Sequence, residues 1–236
     1  DYAHTIFINR EFPAIHLYFF SAYYDNRNQQ RKEEFLSMPR IYLSPSTQEF
    51  NQFVNGGSEE YYMNLIADAM IPYLRASGIE FARNNPGEPV ARIIERSNEY
   101  PYNLHLALQS RNTPGGETPR RGIDVYHYFF SPVNGEKAAY IIAQNLKKIY
   151  PLPDKVSVVP DLTMLELSQT IAPAVMVELG YYDNPEDALW IENNIKQIGR
   201  NLALSVAQFL NVPFVEPDLH LLQSGIPASP AFVGEE

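Results

Sequence analysis

Ala172-Pro173-Ala174-Val175-Met176-Val177-Glu178-Leu179-Gly180-Tyr181-Tyr182-Asp183-Asn184-Pro185-Glu186-Asp187 is the stretch whose reading decides the fold. Residues 174–177 are small or β-branched apolar residues bounded by Pro173 and Gly180, and they predict a buried strand. Glu178 closes that run. A carboxylate at the end of a buried strand is costly unless something pairs with it. Strand ends that open into a crevice are also where open α/β sheets keep their chemistry. The plainer role for Glu178 is a helix cap or an ordinary salt bridge. Beyond the turn, Pro185 begins a long predicted helix that runs to Leu210.

Working upstream, strand and helix patterns alternate. Strands are predicted over 40–43, 79–83, 103–109 and 122–130. In the third, Leu104, Leu106 and Leu108 take one face and His105, Ala107 and Gln109 the other. Ser58 is a helix N-cap, Glu59 and Glu60 occupy the favourable first turn, and Met63, Ile66, Ala67, Met70 and Leu74 follow at helical spacing. Further helices are predicted over 89–99 and 137–149, with a short one over 162–169. Residues 156–159 are read as an extended piece within a proline-punctuated loop. The pattern implies an α/β fold: a mainly parallel twisted sheet with helices on both faces, plus a short N-terminal β extension. The expected organisation is a β-rich extension over 1–38, the α/β domain over 39–212, and a Pro-rich tail over 213–236.

With 236 residues, 45% hydrophobic and 19% charged, the chain has a globular composition. Its net charge of −10 argues against a nucleic-acid partner, which needs a basic field. Absence of cysteine excludes disulfides and thiolate metal ligands. No stretch approaches the ~20 apolar residues of a transmembrane segment. No strand is followed by a glycine-rich phosphate loop; Leu43-Ser44-Pro45-Ser46-Thr47 has neither nucleotide-binding spacing.

From Ile41 to about Leu210 the chain resembles the zinc-dependent N-acetylmuramoyl-L-alanine amidases of bacterial cell-wall lysis. Pro173-Ala174-Val175-Met176-Val177-Glu178-Leu179-Gly180-Tyr181 followed by Asn184-Pro185-Glu186-Asp187 is similar to the family's C-terminal motif. Glu60 followed by Asn64-Leu65 matches its early helix, and residues 122–126 resemble the strand after its variable loop. The resemblance implies a hydrolase that cleaves peptidoglycan at the amide between the lactyl group of N-acetylmuramic acid and L-alanine. It implies zinc on two histidines and a glutamate, with a second glutamate moving the proton of the attacking water. On this chain it assigns Glu178 as the catalytic carboxylate and Glu60 as a metal ligand. It also implies peptidoglycan or muropeptides as partners and a secreted or cell-wall-associated location.

Two positions depart from the pattern. Thr47 stands where the family has its first histidine, and Gln109 where it has the second. A carboxylate with a hydroxyl and an amide is a poor zinc site, so zinc binding is expected to be weak or absent here. Thr47, Gln109 and Arg111 are then expected as ligand-binding residues, with Arg111 a donor to Glu178. This opens an alternative: a catalytically inactive pseudo-amidase serving as a peptidoglycan-binding or regulatory module. His105 shares a face with Gln109 but lies ~13 Å away along the strand, too far for the same metal. His4, His16, His127 and His220 read as hydrogen-bonded or surface histidines. Asp124, His127 and Ser131 have the residue types of a triad but crowd one strand, whereas triad members converge from separate elements. Tyr18, Phe19, Phe20, Tyr23 and Tyr24 read as core or interface rather than a sugar platform. Glu59, Glu186 and Glu192 read as solvated helix-surface charges.

Overall fold

Six strands build one sheet: β1 (Arg40–Pro45), β2 (Glu80–Arg83), β3 (Leu104–Arg111), β4 (Ile123–Tyr128), β5 (Val156–Asp161) and β6 (Ala174–Tyr181), in the order β2-β1-β3-β6-β4-β5. The helices are α1 (Glu59–Ala76), α2 (Val90–Asn98), α3 (Val133–Leu146), α4 (Leu165–Ser168) and α5 (Pro185–Leu210). The computed structural model describes residues 38–115, 120–130 and 133–218. The β extension expected over 1–38 lies, Met38 apart, outside the described residues, as do the Tyr18–Tyr24 cluster, His4, His16, Ser131 and His220. The chain divides after Met38, and every element above belongs to the second unit.

β2, β1, β3 and β6 run parallel, whereas β4 pairs antiparallel with β6 and parallel with β5. The cause is the connections. A parallel neighbour needs a crossover long enough to return to the strand's start. No described helix separates β3 from β4, and only the one-turn α4 separates β5 from β6, and the chain reverses at both places. α3 does separate β4 from β5, and those two are parallel. The segment read as a loop around 156–159 is thus a full strand, recruited by pairing with β4 along its whole length.

The larger core lies on one face of the sheet. Ile41, Leu43, Leu104, Leu106, Leu108, Val175, Val177 and Leu179 pack there against Met63, Ile66 and Met70 of α1 and Ile198, Leu202 and Val206 of α5. A Cβ at Gly199 would lie 2.6 Å from the Ala69 Cβ, so the absence of a side chain lets α5 press onto α1. The second face carries a smaller apolar cluster of Ala107, Tyr126, Leu167, Ala174 and Met176. Beside it lies a buried polar network. Ser44 Oγ donates to Glu166 Oε2 at 2.6 Å, His105 Nε2 meets the same oxygen at 2.8 Å, and His105 Nδ1 meets Ser97 Oγ at 2.9 Å. This network ties α2 and α4 to β1 and β3, and it engages both nitrogens of His105. No described helix is long and apolar enough to cross a membrane.

Candidate active site

Glu178 lies near the carboxyl end of β6, between β3 and β4. Register pairs it with Gln109 on one side and Asp124 on the other, so all three side chains share the second face. The reversal of β4 is what brings Asp124, at the start of its strand, to this end of the sheet. Between Gln109 and Arg111 the register shifts by one residue, and Arg111 comes to pair with Tyr181. Such a bulge re-aims a side chain. Gly180 lies within the shift at φ 114°, a conformation side chains rarely adopt.

Arg111 gathers the local charges. Its Nη1 donates to Asp124 Oδ2, and lies 3.2 Å from the Tyr126 hydroxyl. Its Nε lies 3.2 Å from Glu178 Oε2, and its guanidinium sits 4.8 Å from the Tyr181 ring centroid. The Glu178 contact has ion-pair distance without hydrogen-bond alignment, and Oε2 has no hydrogen-bond partner among the described residues. Burial pushes the Glu178 carboxyl up to about 7. Arg111 and the Tyr126 hydroxyl pull the other way, and the Asp124 and Glu59 charges add to the rise. Glu178 therefore changes charge near neutral pH, where a proton-transfer group is most effective.

Glu59 contradicts its expected place on a solvated helix face: it is fully buried. Its Oε1 accepts from the Ser110 backbone N–H at 3.1 Å and its Oε2 from Asn51 Nδ2 at 2.7 Å. The segment from Ser46 to Ser58 folds back over the start of α1, closing Glu59 against the end of β3 and raising its pKa by burial. Helical periodicity carries no trace of that fold-back. Ser58 does cap α1 as expected, its side chain accepting from the Tyr61 N–H.

At one corner of the site the residues on either side of Thr47 connect to the start of α1 through backbone groups. The Glu60 N–H points to the Gln48 carbonyl at 3.4 Å, and Asn64 Nδ2 donates to the carbonyls of Ser46 and Glu60. The Ser46 N–H donates to the Leu108 carbonyl, which sets this corner beside Gln109. Thr47, Glu60, Gln109, Arg111 and Glu178 thus all lie at one end of the sheet. Zinc takes imidazole, carboxylate and thiolate donors. Thr47 brings a neutral hydroxyl and Gln109 an amide, while His105 is engaged by Ser97 and Glu166. Among the described residues no three His, Cys, Asp or Glu side chains group to hold a metal ion. The triad residue types do not converge either: Asp124 and His127 alternate onto opposite faces of β4, and His127 Nδ1 lies against the Tyr128 carbonyl at 3.1 Å.

The turn after β6 is held by Asp187, which sequence reading placed only within a motif. Asp187 Oδ1 accepts from Tyr150 at 2.6 Å and Arg121 Nε at 3.0 Å; Oδ2 accepts from the Gly122 and Tyr181 N–H groups at 3.1 and 3.2 Å. A Cβ at Gly180 would lie 3.2 Å from that Oδ2. Asn184 caps α5 by accepting from the Glu186 and Asp187 N–H groups. The Leu-Gly-Tyr-Tyr-Asp-Asn-Pro-Glu-Asp stretch is therefore one device. It turns the chain sharply and fixes the end of the strand that bears Glu178.

The comparisons agree with this geometry. The N-acetylmuramoyl-L-alanine amidase family matches residues 48–208. No curated protein sequence matches the chain. Among solved structures, an N-acetylmuramoyl-L-alanine amidase of Nostoc punctiforme superposes with a TM-score of 0.63 at 14% identity, over 74% of this chain and 98% of that one. One from Mycobacterium smegmatis gives 0.63 at 15%, over 73% and 97%. The catalytic domain of one from Bacillus (Paenibacillus) polymyxa gives 0.61 at 12%, over 75% and 100%. At such identities these structures speak for the fold, while the family match extends from the loop beside Thr47 through most of α5. The chain belongs to the N-acetylmuramoyl-L-alanine amidase family of cell-wall hydrolases.

Proposed function

We propose that this chain hydrolyses the amide between the lactyl group of N-acetylmuramic acid and L-alanine in peptidoglycan, with Glu178 as its proton-transfer group. The observation that carries the reading is Glu178 itself: a buried strand-end carboxyl, raised to about 7, at the end of the sheet where Gln109 and Asp124 flank it. As carboxylate it takes a proton from water as the water adds to the amide carbonyl. It then returns that proton to the leaving nitrogen as the C–N bond breaks, releasing a lactyl carboxylate and the amine of L-alanine. Thr47 and Gln109 line this end as neutral hydrogen-bonding groups for the substrate, and Glu60 flanks them. They offer no zinc site of the family kind, so no step here passes through a metal. A substrate in the wall implies a secreted or wall-associated location. The family match favours a hydrolase over a binding module.

Incubation of the full chain with purified peptidoglycan tests this. The expected result is soluble stem peptide with a free L-alanine amino terminus, at a rate that added chelator leaves unchanged. Muropeptide binding with no release would point instead to a module that holds the wall without cutting it.

A further inference from the structure

We infer that Arg111 holds the carbonyl oxygen of the scissile amide, donating to it from Nη2 while Asp124 and Tyr126 fix its Nη1. This rests on the hydrolase reading above and names the charge-stabilising group of that same site. Amide hydrolysis places negative charge on the carbonyl oxygen, and a donor already aimed at that point contributes most to the rate. A guanidinium presents five N–H donors in a rigid fork. Here Nη1 serves Asp124 and Tyr126, Nε faces Glu178 at 3.2 Å, and Nη2 donates to none of the described residues. The Tyr181 ring adds a further hold on the fork. Arg111 keeps 24% of its side-chain surface exposed, so a ligand can reach it.

The local charge selects the ligand class. Asp124 already balances Arg111, Glu178 adds a second carboxyl that ionises near neutrality, and the buried Glu59 lies close enough to act on Glu178. An anionic ligand would enter a negative field, whereas a neutral amide carbonyl needs only the free N–H. The position also matters. Arg111 stands two residues beyond Gln109 on β3, and so on the same face. It sets a fixed cation beside Glu178, the residue that register pairs with Gln109. Proton acceptor and oxygen-binding donor then sit within reach of one amide.

The test is calorimetric titration in the Glu178→Gln background, where ligand is not consumed. Two ligands are compared: a solubilised muropeptide with its lactyl–alanine amide intact, and the free stem peptide. Adding Arg111→Met is expected to weaken binding of the intact muropeptide about tenfold or more, the worth of one charge-assisted hydrogen bond, and to leave the free peptide unchanged. Equal weakening for both ligands would mean that Arg111 only supports the fold, and no weakening would mean that it touches no ligand; either overturns the inference. Should Arg111→Met not fold, Arg111→Lys keeps the charge against Asp124 and lacks the fork, and is judged by the same two-ligand comparison. Peptide release by the unmodified chain tests the hydrolase reading separately, so the two ideas can fail independently.

Discussion

Two carboxylates in one motif meet opposite fates. Asp187, at the start of α5, is fully buried and accepts four hydrogen bonds from Arg121, Gly122, Tyr150 and Tyr181. Glu178, near the end of β6, is largely buried, yet its Oε2 has an ion-pair neighbour and no hydrogen-bond partner among the described residues. A buried acid whose lone pairs are all taken is part of the scaffold, since removing it strands its donors. A buried acid left under-satisfied raises the free energy of the folded chain, and its place in the crevice marks it for chemistry. Sequence position alone does not separate the two. The count of donors around each does.

Substitutions that break this contrast should rank in size. Asp187→Ala leaves the Tyr150 hydroxyl and two backbone N–H groups without a partner and Arg121 with only the exposed Glu186, and should cost about 3–5 kcal/mol in denaturant unfolding. Gly180→Ala forces a side chain into φ 114° with its Cβ against Asp187, and should cost about 1–3 kcal/mol in the same measurement. Glu178→Gln should act in the other direction, and only at some pH values. The folded-state carboxyl titrates at about 7, above its ordinary 4.5. Its contribution is therefore fully present below about pH 4.5 and is lost as pH rises through about 7. Above that point the variant should melt higher than the wild type, and the difference should close toward pH 4.5; a variant that melts lower at every pH would show Glu178 to be scaffold like Asp187. The smallest effect is expected from metal removal. Chelation should leave the melting temperature unchanged, and protein purified without an affinity tag should carry less than stoichiometric zinc by elemental analysis.

Much of the scaffold was legible in the sequence because local rules govern it. Ser58 caps its helix as its side chain requires, and the alternation of Leu104, Leu106 and Leu108 against His105, Ala107 and Gln109 is the alternation in β3. The reversal of β4 was available in principle, since no helix pattern intervenes between it and β3. The pairing that makes residues 156–161 a strand is non-local and leaves no mark in the segment itself. At the site, Arg111 was named from the sequence as a donor to Glu178, but register pairs Glu178 with Gln109, and the ion-pair distance of Arg111 depends on side-chain reach across the shifted register. The burial of Glu59 was not, because a loop remote from helical periodicity encloses it. Nor was the Ser44–His105–Glu166 network, whose members come from three elements far apart in the chain.

The central claim is that Glu178 is held for proton transfer while Asp187 holds the fold. Its most direct test is the rate of stem-peptide release from peptidoglycan across pH, for the wild type and for Glu178→Gln. The account predicts that wild-type release rises with pH through about 7, as the carboxylate forms, and that Glu178→Gln folds at least as stably as the wild type and releases no peptide. Release by the variant at the wild-type rate, or a wild-type rate with no inflection near neutrality, would contradict it.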